Sequence, residues 1–522
     1  MRFWKGHQQI GLAAVVMGTS ILLSRVMGLL RDKAISYLFG AGGESDLYFA
    51  AFVIPDFINY LVAGGYFSIT LIPLLAHYFD RDRDEGWRFF STVFTWVTVV
   101  IVLLTGVAMV LAPELAYLAA PGLPPAALPR LAYFLRLILP AQVFFLLGSC
   151  FTALLYQRKQ FLAPALTPLV YNGMIILVGV LLQARGMEGF CWGVLVGALL
   201  GNLLIPYLAV RQGGGLRLQV SWSHPGMPRF CFLALPLMVG QSIVVLDEQL
   251  VRVFGSLAGV GAISWLSFAR RIMMVPVGVV AQAVGVASYP FLAELAAKGD
   301  MGRLQETVNS ALRNLLALLI PLSVWMMVVA EPTIRLVFQQ GRFAAVDSEQ
   351  TALLLRVFLA VVCCWGVQQL LGRAFYACQD TVSPAVLGTL VTLLSLPAFY
   401  VLSTRLQALG VALASAGAMA LYTVLLGLCW RRRFGARVFA SLTGAGLKLL
   451  ALAALAALPA VWVVRAEAPL RVSHPLLGAA GAVLVSGAAF GLVFLLLSRQ
   501  FAPALIRPYA ARLGPVGRWL SR

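Results

Sequence analysis

Few ionisable residues lie inside the apolar stretches of this 522-residue chain, and arginine is the commonest type among them. Arg25 and Arg31 stand six apart in SRVMGLLRD, with Asp32 and Lys33 directly after. Asp46 and Asp56 bracket the start of the next apolar run. Asp247, Glu248 and Arg252 share another, Arg270 and Arg271 a further one, and Arg356 sits alone in its own. A charge at the bilayer centre costs about 2.5–3.5 kcal/mol on insertion scales, so a retained one usually faces a wet cavity and works there. Arginine keeps its charge and offers a planar fork of donors that matches phosphate. Several arginines around such a cavity fit an anionic amphiphile such as a lipid phosphate. The competing reading is that an arginine snorkels to the interface or pairs with Asp32, Asp247 or Glu248. Arg252 and Arg356 lean that way; Arg25, Arg31 and Arg271 lean toward the cavity. Asp247 also has two readings. It can hold Na⁺ or H⁺ and couple transport to a gradient, or it can pair with Arg252, five residues on and poorly aligned for it on a helix.

Other chemistry finds little support. The seven cysteines lie in or beside apolar runs without CxxC spacing, and the four histidines are scattered without a zinc pattern. Neither a metal centre nor paired catalytic carboxylates can be assembled, so the expectation is a protein that is not an enzyme.

The elements that must position these charges are membrane spans. Hydrophobic residues make up 61% of the chain and charged ones 11%, with mean hydropathy +0.90. A soluble domain carries about 25% charged residues, so soluble, disulfide-rich secreted and disordered classes are excluded. About fourteen apolar runs reach spanning length, which predicts an all-α integral membrane protein of about fourteen transmembrane helices. The first run follows Arg2 and Lys5 but lacks an A-x-A cleavage site, and reads as the first span rather than a signal peptide. About 23 basic residues fall in loops on one side and about 9 on the other, which places both termini in the cytoplasm. The net charge of +19 then marks topology and lipid contact, not nucleic acid.

An internal repeat organises the spans. Tyr156 and Pro164 are eight apart, as are Tyr376 and Pro384; Pro55 pairs with Pro276, Pro73 with Pro290 and Gly122 with Gly341, all at offsets near 220. Each copy holds six spans, an even number, so the copies are parallel repeats with a substrate site expected between them. The division expected is 1–211 for the N-lobe with helices 1–6, 212–433 for the C-lobe with helices 7–12, and 434–522 for helices 13–14 and a basic tail.

At these residues the chain resembles the MurJ (MviN) lipid II flippases of the MOP exporter superfamily. The likeness is carried by SRVMGLLRD, FGAGGESD (Phe39 to Asp46), APGL (Ala120 to Leu123), ISWLSFARRIMMVP (Ile263 to Pro276), FQQGRF (Phe338 to Phe343) and FYACQDTVSP (Phe375 to Pro384). It implies a flippase in the bacterial inner membrane that moves an undecaprenyl-pyrophosphate-linked glycopeptide outward by alternating access, acting as a monomer. Its last two helices would form a groove for the polyprenyl tail. It assigns Arg25, Arg31, Arg271 and Asp46 to the substrate cavity, and gives Asp247 and, with less support, Asp380 to a coupling cation, Na⁺ or H⁺. The chain also departs from the family pattern. Asn59 stands where an arginine is usual, Gly64 replaces an acid, Arg270 replaces an acid before Arg271, and Met274 replaces a glutamate. Arg270 is therefore expected to supply the positive charge that Asn59 lacks, with both positions in the substrate site. The rivals are a flippase for another polyprenyl-linked glycan and, against the arginine bias, a MATE-type small-molecule antiporter.

Overall fold

The computed structural model describes residues 10–63, 66–213, 216–239, 243–435, 439–467 and 475–503, and among these there is no strand. Gly64 lies outside the described residues. Two compact units divide the chain: the described residues of 1–241 with Glu248–Ser264, and the described residues of 242–247 with those from Trp265 on.

The first unit contains α1 (Ile10–Phe39), α2 (Gly43–Ala50), α3 (Val53–Ala63), α4 (Tyr66–Arg81), α5 (Arg83–Val110), α6 (Ala112–Ala119), α7 (Leu128–Ile138), α8 (Ala141–Gln157), α9 (Leu162–Leu181), α10 (Glu188–Gln212) and α11 (Met227–Val239). It also holds most of α12 (Ile243–Gly255). Almost all of α13 (Ala262–Ala297) belongs to the second unit, with α14 (Met301–Val328), α15 (Ala330–Val337), α16 (Ala345–Ala360), α17 (Val362–Ala377), α18 (Val382–Phe434), α19 (Ala440–Ala466) and α20 (Pro475–Phe501).

Among the described residues nine helices are long and apolar enough to cross a bilayer, and a tenth if α16 and α17, bent by 44°, form one crossing. The 53 residues of α18 would run about 80 Å if straight, against a hydrocarbon core of about 30 Å. The helix instead has a fold in its axis, a kink at Gln407, whose φ of 52° is left-handed. Gly410 makes that fold passable, because a Cβ there would lie 1.8 Å from the Leu402 carbonyl oxygen. Gly148 of α8 does the same for a helix crossing. A Cβ would come within 1.7 Å of the Asn202 carbonyl, in the π-helical stretch Ala198–Leu204 of α10.

Prolines within α4, α9, α13, α14, α18 and α19 are absorbed rather than helix-ending. After Pro276 the backbone of α13 passes through a π-turn at Val277–Ala281 before resuming its α-helix. Such local changes re-satisfy carbonyls that proline leaves unpaired.

The repeat is written into the backbone. α5 and α14 are both 28 residues long and start 218 apart. Each is capped by an aspartate whose side chain accepts the amide three residues on: Asp82 from Glu85, and Asp300 from Arg303, both at 3.1 Å. These caps satisfy donors that the first helical turn leaves orphaned. The acidic run around Asp82 is thus a helix start. α6 and α15, each eight residues, follow at the same offset. The turns after α8 and α17 both use a non-glycine residue in the left-handed region, Lys159 at φ 57° and Gln379 at φ 59°.

Inside the first unit, Trp87, Phe89, Phe90 and Phe151 form the centre of a buried apolar cluster. A second cluster joins α14, α19 and α20 through Ile320, Ala453, Ala456 and Phe490. Leu103, Val107 and Leu181, each more than half exposed, present the outward apolar surface that a lipid solvent accepts.

Candidate functional site

Within the first unit, α1 carries Arg25 and Arg31. Arg25 is exposed and has no ion pair among the described residues. Arg31 is mostly buried and firmly held. Its Nε and Nη2 donate to Asp32 at 3.0 and 2.9 Å, and its Nη1 donates to Asn172 Oδ1 of α9 at 3.3 Å. Asn172 in turn donates to the Pro168 carbonyl at 2.9 Å, which fixes the orientation of its amide. A lone amide in the apolar run of α9 was the available signal for this partner.

Asp46 of α2 is buried, and its oxygens accept three donors from the turn that leads into α13: the amides of Gly261 and Ser264, and the Ser264 hydroxyl at 2.6 Å. It anchors a helix start. Asn59 is half-buried on α3. One turn before it, Asp56 meets Arg252 of α12, whose Nη1 donates to it at 2.8 Å while Nη2 donates to Glu248 at 2.5 Å. Gln249 joins both Asp56 and Arg252. Arg252 is therefore paired, and its partners are Asp56 and Glu248. The pairing with Asp247 considered from the sequence does not form: five residues on a helix separate side chains by about 140°, whereas Glu248, at i−4, lies alongside.

In the second unit Asp247 instead meets Arg270 of α13, Nη1 to Oδ2 at 2.5 Å, and it accepts the Ser415 hydroxyl of α18 at 3.0 Å. The Arg270 guanidinium also lies over the Trp365 ring of α17, 4.8 Å from its centroid. Both charged side chains are more than nine-tenths buried. A phosphate would have to displace Asp247 to reach this arginine. The Arg270 contact occupies Oδ2 of the carboxylate that the sequence offered to a coupling cation. Asp247 Oδ1 and Arg270 Nε remain buried without hydrogen-bond partners among the described residues.

Arg271, the next residue, is exposed, and Met274 is half-buried. Arg356 donates to the Met327 carbonyl at 3.3 Å, a contact that ties α16 to α14. Asp380 caps α18 and shares no hydrogen-bond partner with Asp247 among the described residues. It accepts the Ser383 amide at 2.9 Å and hydroxyl at 2.8 Å, and pairs with Arg433. Burial would raise the Asp380 pKa, but these donors outweigh it and hold the carboxyl below its usual range.

The second unit also contains an open apolar cleft of about 580 Å³ between α14 and α20. Trp325, Pro321, Phe490 and Phe494 line it, with Val280 of α13 at its edge. Among the described residues no three histidine, cysteine or carboxylate side chains are grouped as a metal site.

A family model described as the lipid II flippase MurJ matches residues 35–473. The lipid II flippase MurJ of Burkholderia cenocepacia is 26% identical over 501 residues, which cover 91% of this chain and 95% of that protein. A solved lipid II flippase MurJ in an inward closed conformation superposes with a TM-score of 0.77 at 22% identity, covering 94% of this chain and all of that one. An inward-facing multidrug resistance MATE family transporter of the MOP superfamily gives 0.66 at 14% identity, over 82% of this chain and 99% of that one.

Proposed function

The chain belongs to the MurJ lipid II flippase family, and on that premise we propose that it carries lipid II from the inner to the outer leaflet of the bacterial cytoplasmic membrane, with both termini in the cytoplasm. The observation that carries this reading is the family match across most of the chain, on a scaffold whose spans retain the arginines that a pyrophosphate needs.

Arg25, exposed on α1, and Arg271, exposed on α13, are the guanidinium groups assigned to the headgroup phosphates. Charge-assisted, bidentate hydrogen bonds make such contacts roughly twice as strong as neutral ones. Arg31 acts differently. Held by Asp32 and Asn172, it adds local positive potential and stiffens the junction of α1 with α9. Arg270 serves as the counter-ion of Asp247, so the charge missing at Asn59 is not simply replaced there.

Transport follows from differential affinity. The two leaflets are reached in two states of the protein, and the anion stabilises the intermediate in which like-charged arginines approach one another. Asp46 clamps the turn into α13 in the present state, and that clamp must let go for the turn to move. The cleft between α14 and α20 accepts a stretch of the prenyl chain, since its aromatic and aliphatic lining has no charge. The protein acts as a monomeric transporter. Asn59, Arg270 and Met274 favour a second reading, in which the cargo is another polyprenyl-linked glycan with the same pyrophosphate.

The test is leaflet transfer of fluorescent lipid II in proteoliposomes. Wild type should transfer it, and Arg25→Ala and Arg271→Ala should each abolish transfer while the protein stays folded. Wild-type transfer of a different prenyl-pyrophosphate glycan, with none of lipid II, would select the second reading. Undiminished transfer by both alanine variants would overturn the role of the arginines.

A further inference from the structure

Where α13 and α14 approach the loop that joins them, an open cleft of about 690 Å³ lies between the two helices. Ser288 and Phe291 contribute from α13, and Glu306, Thr307, Ser310 and Asn314 from α14. The lining is graded. Glu306 stands near the helix start, Asn314 lies eight residues deeper, about 12 Å along the axis, and Leu318 closes the deep end. Leu318 also lines the apolar cleft beside α20, so the trough runs from an acidic end to an apolar one and adjoins that cleft at this residue.

The polar end is built to receive a headgroup. Ser288 and Thr307 donate to the carbonyls of Val284 and Arg303, both at 2.8 Å, which leaves oxygen lone pairs for a ligand. Glu306 is exposed, with no ion pair among the described residues, and is the one charged group in the described lining. Phe291, 63% exposed, forms an apolar lip.

A polar head above an acyl chain matches this gradient, and the carboxylate decides which head. An anionic headgroup is repelled. A primary ammonium donates charge-assisted hydrogen bonds to Glu306, whereas a quaternary ammonium has no N–H to give. We propose that this trough binds an aminophospholipid of the phosphatidylethanolamine type, with its ammonium on Glu306 and an acyl chain directed toward Leu318. The ligand is a resident lipid and not the transported glycolipid, whose pyrophosphate would meet no cation in the described lining.

The experiment is lipid retention by the full chain in detergent, read by native mass spectrometry after titration with phosphatidylethanolamine, phosphatidylcholine or phosphatidylglycerol of matched acyl chains. Wild type should retain phosphatidylethanolamine about tenfold better than phosphatidylcholine, the discrimination expected from one hydrogen bond to a charged group. Glu306→Gln should remove that difference. Ser310→Trp, which fills the cleft and leaves the acid in place, should release phosphatidylethanolamine. Equal retention of the first two lipids by wild type, a preference for phosphatidylglycerol, or a preference that survives in Glu306→Gln would each overturn the proposal. Because the readout is binding and not transfer, the outcome is independent of the lipid II reading.

Discussion

Neutralising Arg270 and Asp247 one at a time and then together distinguishes a counter-ion from a substrate ligand. The two side chains are 7% and 1% exposed and meet at 2.5 Å. At an effective dielectric of 20, unit charges 4 Å apart attract by about 4 kcal/mol. Removing one member of a buried pair costs about 3–5 kcal/mol, because the other is left charged and unpartnered. Arg270→Gln also gives up its contact with the Trp365 ring, so it should sit at the upper end of that range. Asp247→Asn keeps the Ser415 hydroxyl within reach and should sit lower. The double variant has no stranded charge and should cost far less than the two singles added together. The assay is a double-mutant cycle on unfolding of the purified protein, with lipid II transfer measured on each variant. If Arg270 is a counter-ion, transfer returns in the double variant along with stability. Additive losses of stability, or a stable double variant without transfer, would refute the counter-ion assignment and return Arg270 to the phosphates.

Three further outcomes are expected. Asp46→Ala removes the acceptor for three donors and strands buried amides at about 1–3 kcal/mol each; hydrogen exchange should speed up selectively at Gly261 and Ser264. Gly148→Ala drives a methyl into the Asn202 carbonyl, an overpacking worth at least about 1–3 kcal/mol, visible as loss of folded protein on size-exclusion chromatography. The Asp380 carboxyl is held below its unfolded pKa, so its contribution is complete above about pH 4 and is lost as pH falls through the folded value. Melting temperature in wild type should therefore drop more steeply with acid than in Asp380→Asn, and parallel curves would show that the cap carries no linked proton.

Much of the scaffold can be read directly from the residues. Composition selects the bilayer, and the matched spacing of Tyr156 and Pro164 with Tyr376 and Pro384 announces a duplication that the left-handed turns at Lys159 and Gln379 repeat in the backbone. Asp82 and Asp300 each precede a long amphipathic start and cap it as that chemistry requires. The ion pairs were harder to read. Asp56 and Arg252 are 196 residues apart, and no local period relates them. Asp247 and Glu248 are neighbours in sequence, yet a helix turns adjacent side chains about 100° apart, so each finds a different arginine. The span count is blurred by breaks such as the one between α16 and α17, where an apolar run continues while the axis bends. Asn172 had no partner in view until α1 was packed against α9.

The union of Asp247 with Arg270 has an electrical consequence. A carboxylate and a guanidinium that travel as one body displace no net charge through the transmembrane field, whereas one lone charge moved through 100 mV is worth about 2.3 kcal/mol. Motion of that pair is silent to voltage. Whatever potential dependence the cycle has must then arise from groups such as Arg25, which has no ion-pair partner among the described residues, and from the phosphates of the cargo itself.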